Sequence, residues 1–304
     1  MAPLALYLHD LSRDIRIDLP DLLPGGYMLI SIITAVRNAE STLSILLDSL
    51  VGQEFRDFEL VLQDGASTDG TLMLVERYRA LLPPLSLQSE PDSGIYDAWN
   101  KAVSRASGDW LIFLGADDRF ADDQVLADVA PLLRLLPRDV VFAAGEGEMR
   151  FSDGSLFSHM SVDVQRSKQY LEVGCPVCHA SLFYRKSLFE TEEFDVRFKV
   201  AGDYDFLCRH WNVDKVRAIN RLVTVMQAGG VSASAKYRSK ALKETLIIAK
   251  RTFGHYPSLL LKSYVKSVLH GVIITILGVK LGNRFYDLLR ILNGNSPCWS
   301  KTER

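Results

Sequence analysis

Residues 28–36, MLISIITAV, form an unbroken apolar run rich in β-branched side chains. A strand with one wet face alternates polar and apolar residues, so a run that is apolar throughout belongs to a strand covered on both faces. That requirement calls for helices on each side, and the following residues supply them. Residues 39–53 place Leu43, Leu46, Leu47, Leu50 and Val51 at helical spacing. FELVLQD (58–64) reads as a second strand, and residues 67–82 as a second helix with Thr68 or Asp69 as its N-cap. A short strand, LSLQSE (85–90), precedes a helix from Ile95. The apolar face of that helix is Ile95, Ala98, Trp99, Ala102, Val103 and Ala106, and its polar face is Asp97, Asn100, Lys101 and Ser104. DWLIFLG (109–115), a helix near 122–136 and VVFAAG (140–145) continue the alternation. The pattern predicts an α/β fold, a mostly parallel central sheet flanked by helices.

After residue 145 the style changes. A hairpin is expected with Asp153-Gly154 at its turn, then short strands and a helix near 203–211. Residues 234–252 and 256–292 read as helical. The expected organisation is an N-terminal extension (1–27), an α/β domain (28–230, in halves 28–120 and 121–230) and a C-terminal helical region (231–304).

Composition removes several function classes. A formal net charge of −2 offers no basic field for nucleic acid. Four cysteines in 304 residues are too few for a disulfide scaffold. The first residues lack the basic start of a signal peptide, and no run reaches the roughly 18–20 apolar residues that span a bilayer. A cytoplasmic location is the expectation. GCPVCH (174–179) has the C-x-x-C-H spacing of haem attachment and half the spacing of a zinc site. Zinc would need Cys208 and His210 as well, because no second C-x-x-C exists. In a reducing compartment Cys175 and Cys178 are expected to be small, mostly buried side chains.

The chemistry is expected at the carboxyl ends of the parallel strands, where open α/β sheets bind ligands. Asp64 ends one strand, Asp92 follows another, and Asp117 and Asp118 follow a third in GADD. Singly, such residues end strands and cap helices. Together they repel anions unless a divalent cation such as Mg²⁺ or Mn²⁺ sits between them and a phosphate.

Four segments carry a family resemblance: SIITAVRNAESTLSILLDSL, FELVLQDGASTDGT, SEPDSGIYDAWNKAVSRASGDWLIFLGADD and HASLFYRKSLF…FDVRFKVAGDYDFLCR. In order and spacing they resemble the family 2 glycosyltransferases of the nucleotide-diphospho-sugar, GT-A type, over roughly residues 28–230. The flavour is that of bacterial enzymes building surface polysaccharide or lipopolysaccharide. The resemblance implies a metal-dependent, hexosyltransferase-like enzyme that moves one sugar from a nucleotide-sugar, a UDP-sugar first of all, to a glycan or lipid-linked acceptor. GADD resembles the D-x-D-type motif, which makes Asp118 the Mg²⁺ or Mn²⁺ ligand and puts Asp117 at the ribose or the metal shell. Thr34, Ala35 and Arg37 would line the nucleoside pocket with Asp64. Asp92, Gly94 and Asn100 would border the nucleotide and sugar. Asp203 matches the catalytic base, and His179 would face the acceptor or the phosphates. A base removing the acceptor proton during direct displacement implies inversion. A metal would offset charge on the departing diphosphate.

Departures from the family pattern are Arg37 where an aromatic is common, and Asp64-Gly65 where two aspartates are common. The Q-x-x-R-W motif of processive synthases is absent, and CRHW (208–211) does not replace it. Asp205 rivals Asp203 as base, since on a helix the two point apart and only one can face the cleft. The other readings of the chain are a zinc-binding module and a catalytically inactive GT-A scaffold. In the tail, Leu261, Val265, Val268, Val272 and Ile276 make a helical stripe accompanied by Lys262, Lys266, Lys280, Arg284 and Arg290. Residues 256–292 are expected either to lie on a membrane surface or to pack against the domain or the partner of a homo-oligomer.

Overall fold

The structure is a computed structural model that describes residues 28–151, 153–228 and 235–292. The expected extension 1–27 and Cys298 lie outside the described residues. One sheet organises the chain. Its first half contains β1 (Ile30–Val36), β2 (Phe58–Asp64), β3 (Leu85–Ser89) and β4 (Trp110–Phe113). The second half contains β5 (Arg119–Phe120), β6 (Phe142–Arg150), β7 (Leu156–Met160), β8 (Leu182–Arg185) and β9 (Val216–Gln227). The strand order is β3-β2-β1-β4-β8-β6-β9-β5, with β7 beside β6.

β1 runs parallel to both β2 and β4, and β3 runs parallel to β2. The carboxyl ends of these strands therefore share one edge. Beyond β4 the sheet is mixed: β8 is antiparallel to β4 and β6, while β9 is parallel to β6. The parallel character is a property of the first half, where helical crossovers join the strands; the second half contains a hairpin and short returns.

Both faces are covered, as the apolar runs require. Ile30, Ile32, Leu60 and Leu62 belong to one core with residues of α1 (Leu43–Gly52) and α4 (Val125–Leu135). Ile33, Val61, Leu111 and Phe113 belong to another with residues of α3 (Ile95–Val103), α6 (Gly202–His210) and α7 (Ala235–Phe253). Two shorter helices, α2 (Thr71–Tyr78) and α5 (Ser167–Leu171), fill connections. The chain ends in an antiparallel helical hairpin, α8 (Ser258–Leu277) and α9 (Val279–Leu292). By length and composition alone α8 could cross a membrane, which corrects the expectation that no segment reaches that length. Lys262 and Lys266 interrupt the apolar run without ending the helix.

Local corrections have local causes. α1 starts at Leu43 rather than at 39, because Asn38 takes a left-handed conformation (φ 52°) and the chain turns before the helix begins. Ile95, expected in the core, is 41% exposed, and Tyr96 is buried in its place. The opposite edge of the sheet is held by Glu59, whose Oε1 accepts from Ser31 Oγ (2.6 Å), Ser107 N (2.6 Å) and Ser107 Oγ (2.8 Å). Gly108 donates to Ser31 Oγ beside it, where a Cβ would lie 2.6 Å from Ser31 N.

Replacing Glu59 by Ala removes the acceptor shared by Ser31 of β1 and Ser107 of the loop before β4. Glu59→Ala is expected to lower unfolding free energy by about 2–3 kcal/mol in urea titrations, the scale of lost hydrogen bonds to a charged group.

Candidate active site

The loops after β1 and β2 are tied together by short polar side chains. Asp64 is fully buried, and its oxygens accept from Ser67 N (2.9 Å), Ser67 Oγ (2.5 Å) and Ser89 Oγ (2.6 Å). Asn38 receives Thr68 N at its Oδ1 (2.9 Å), and Asp69 accepts from Thr71 N (3.0 Å) and Glu40 N (3.1 Å) at the start of α2. The N-cap of α2 is Gly70, without a side-chain cap, which corrects the expected Thr68 or Asp69; Asp69 sits one residue earlier and holds Thr71 N. Gly65 lies between Arg37 and Asp92: a Cβ there would stand 2.4 Å from Asp92 Oδ2 and 3.5 Å from Arg37 Cβ. Asp92 Oδ1 accepts from Gly94 N (2.9 Å), and Gly94 sits at φ +132°, a backbone open to glycine, just ahead of α3.

After β4, Asp117 and Asp118 converge over Gly115, where a Cβ would be 3.2 Å from Asp117 Oδ1 and 3.1 Å from Asp118 Oδ2. Asp118 Oδ2 accepts from Gly115 N (2.7 Å). Burial, and then the neighbouring Asp117 charge, outweigh that bond and raise the Asp118 carboxyl to about 6. Among the described residues no Lys, Arg or His lies within ion-pair distance of either carboxylate. Nor do three or more His, Cys, Asp and Glu side chains gather into a metal cage. Two adjacent carboxylates without a counter-charge suit a Mg²⁺ or Mn²⁺ ion that takes its remaining ligands from phosphate and water.

The segment 175–179 joins this pair to Asp203. Buried Cys178 is raised by desolvation, and the Asp118 charge adds to the shift. Next to it, the His179 ring packs on Phe113 (5.6 Å between centroids) and Trp99 (5.1 Å). Its Nδ1 lies 2.8 Å from the Tyr184 hydroxyl, while Nε2 is buried without a partner. Desolvation lowers its pKa, with the Asp203 charge opposing, so the ring is neutral at pH 7. If Tyr184 donates to Nδ1, the proton resides on Nε2 and is free for a ligand. Cys175 Sγ is 3.9 Å from Asp203 Oδ2. Cys175 is exposed, contrary to expectation. Cys175 thus lies at Asp203, while Cys178 is buried with its Sγ 4.0 Å from Met226 Sδ and feels the Asp118 charge.

Asp203 begins α6. The Tyr96 hydroxyl lies 2.9 Å from Asp203 Oδ1 and 2.8 Å from Val200 O, and its single proton can serve one of them at a time. Asp205 points the other way: it is fully buried, bound by Arg209 Nε at 3.1 Å and by Arg251 of α7. It is an ion-pair anchor. A second tie from α7 is Glu244, whose carboxylate accepts from Lys199 N (3.0 Å), Val200 N (2.9 Å) and Ala201 N (3.0 Å). Three successive donors and one carboxylate fix the turn that leads into Asp203.

Two of the residues expected to meet the donor are engaged elsewhere or enclosed. Thr34 is fully buried on the face shared with Ile32 and Val36, and its hydroxyl has no partner, so it underlies the site without opening onto it. Asn100 is consumed by Phe194, donating to its O (2.9 Å) and accepting from its N (3.0 Å). Ala35 and Arg37 close the β1 edge, with Arg37 exposed. Tyr96, Glu244 and Arg251 escaped the sequence reading. An aromatic three residues before Trp99 was the one available signal for Tyr96, and nothing local marks the other two.

A family profile described as glycosyl transferase family 2 matches residues 31–190. The chain belongs to that family. A PGL/p-HBAD biosynthesis glycosyltransferase of Mycobacterium bovis is 36% identical over 184 residues, 60% of this chain and 69% of that protein. Among solved structures, Staphylococcus aureus TarS 1–349 in complex with UDP-GlcNAc aligns with a TM-score of 0.57 at 19% identity. The alignment covers 79% of this chain and 72% of TarS. The mannosyltransferase PcManGT of Pyrobaculum calidifontis, in complex with GDP-Man and Mn²⁺, aligns at 0.58 and 19% identity over 98% of this chain and 90% of its own. These likenesses establish the GT-A fold. The chain is accordingly a glycosyltransferase of family 2 with a GT-A fold.

Two measurements probe this site. Glu244→Ala leaves three backbone donors unpaired and is expected to cost on the order of 2–3 kcal/mol in denaturant unfolding, against far less for the neighbouring exposed Lys243→Ala. Asp118 retains its proton in the fold at pH values where the unfolded chain, at 3.8, has lost it. Metal-free protein should therefore lose stability as pH rises from about 4 to about 6 and recover none above that. Asp118→Asn should flatten this part of the profile and gain on the order of 1–2 kcal/mol at pH 7.

Proposed function

We propose that this enzyme transfers a single sugar from a nucleoside-diphosphate sugar to a glycan, free or lipid-linked, with inversion at the anomeric carbon and with a divalent metal. The observation that carries the reading is the pairing of two acidic centres across residues 175–179. One is a carboxylate pair without counter-charge after β4, and the other is a lone carboxylate at the start of α6.

Asp203 is the base in this account. It takes the proton of the acceptor hydroxyl as that oxygen bonds to the anomeric carbon, while the bond from that carbon to the diphosphate oxygen breaks. The Tyr96 hydroxyl and the Glu244 clasp hold its carboxylate in one orientation, and Asp205 is excluded from the role by its own ion pairs. A Mg²⁺ or Mn²⁺ ion on Asp118, with Asp117 beside it, would supply charge compensation to the leaving diphosphate. His179 offers Nε2 to the acceptor or to the phosphates. Arg37 and Asp92 border the nucleotide, with Asp64 shaping their loops and Gly94 opening α3 beside them. A UDP-sugar is the first donor to try. The reaction is placed in the cytoplasm, where nucleotide sugars are made.

A thermal-shift screen of nucleoside diphosphates and nucleotide sugars with Mn²⁺ identifies the donor by its stabilisation of the fold. With that donor, Asp118→Ala should abolish metal-dependent binding. Asp203→Asn should bind donor within about twofold of wild type yet transfer sugar at least ~100-fold more slowly, the scale of a lost general base. Wild-type transfer by Asp203→Asn would remove Asp203 from the mechanism.

A further inference from the structure

The helical hairpin α8–α9 is built inside out. The side chains enclosed in it are polar: Ser267, His270, Asn283 and Asp287 are buried, with His270 Nε2 3.2 Å from Asn283 Oδ1. The Tyr286 hydroxyl donates to Lys266 O (2.7 Å). Gly282 lets the helices approach closely, since a Cβ there would meet Ile274 at 2.9 Å. The outward side chains are apolar, from Leu261 and Val265 to Val272, Ile276 (74% exposed), Leu281 and Leu288. A helix pair facing water has the opposite arrangement. Polar inside and apolar outside is the arrangement that a lipid environment selects.

Charge identifies the occupant of this face. Lys262, Lys266, Lys280 and Arg284 are exposed, whereas Asp287, the one acidic residue of segment 256–292, is buried. An apolar and positive surface complements anionic headgroups. A second copy would set the same positive charges against one another. The hairpin's dimensions distinguish lying on the bilayer from crossing it. α9 has 14 residues, about 21 Å of helix, against a hydrocarbon core of roughly 30 Å. It folds back along α8, so a crossing would bury Lys280 and Arg284 in hydrocarbon. Leu260 and Tyr264, near the start of α8, pack with Leu246 and Ala249 of α7.

We propose that α8–α9 docks the enzyme on an anionic lipid surface, lying in the interface with its apolar face down. The dock then joins the helix that carries Glu244 and Arg251, so the membrane and the Asp203 turn share one support. The proposal does not rest on the transfer reaction.

The test is flotation of the full chain with vesicles of equal parts phosphatidylcholine and phosphatidylglycerol, in parallel with vesicles of phosphatidylcholine alone. Wild type should float with the anionic vesicles and much less with the neutral ones. Lys262→Gln with Lys266→Gln should lower the partition coefficient on the order of 20-fold. Val272→Glu with Ile276→Glu should abolish flotation while keeping the wild-type far-UV circular dichroism and thermal transition. The lysine pair tests the proposal independently if the glutamate variant unfolds. Wild type remaining with the lipid-free fraction would overturn the proposal, as would flotation unchanged in the lysine variant. Light scattering that shows a stable lipid-free dimer, made monomeric by Val272→Glu with Ile276→Glu, would assign the face to a second copy instead.

Discussion

The parallel pairing of β1 with β2 on one side and β4 on the other is the constraint on which the rest depends. It sends the carboxyl ends of three strands to one edge, where Asp64 ends β2 and Asp117 and Asp118 follow β4. The loops there have different tasks. The Asp64 loop is saturated with hydrogen bonds and works as scaffold, as the short Ser67 and Ser89 contacts indicate. Among the described residues the Asp117-Asp118 pair makes no ion pair and retains its electrostatic cost, visible as the raised Asp118 carboxyl. Structural acids are satisfied here, and the unsatisfied pair is the one left to bind something.

The second acidic centre depends on a different part of the chain. Asp203 is fixed by Tyr96 from α3 and, through the turn before it, by Glu244 from α7. Arg251, also on α7, draws Asp205 away from the cleft. Two carboxylates two residues apart on one helix thereby acquire different environments, one bonded to a neutral phenol and one neutralised by arginines. The C-terminal helices are accordingly part of the machinery that orients the site. Segment 175–179 completes it by placing Cys175 beside Asp203 and His179 against Trp99 and Phe113 within reach of the Asp203 charge.

The periodic elements were legible in the sequence because burial on both faces imposes patterns that neighbours share. β2 spans the residues its apolar run indicates, and β1, α3 and α6 differ by a residue or two. Legibility failed where a long-range contact decided the outcome. Asn100 has a polar position on α3 and is taken by the backbone of Phe194, 94 residues away. Nothing in the sequence around Glu244 and Arg251 marks their partners, which precede them by more than 40 residues. Cys175 looked buried by residue type, yet the residue is exposed. That Cys175 lies at Asp203 while Cys178 is buried depends on a loop path that spacing alone does not reveal.

The central claim is that the carboxylate pair after β4 receives a divalent metal together with a nucleoside diphosphate. Anomalous diffraction at the manganese edge, from crystals grown with Mn²⁺ and UDP, tests it most directly. The account predicts one strong peak on the Asp118 carboxylate, beside Asp117 and in contact with the diphosphate. A peak at another set of side chains, or bound nucleotide with no peak at Asp118, would contradict it.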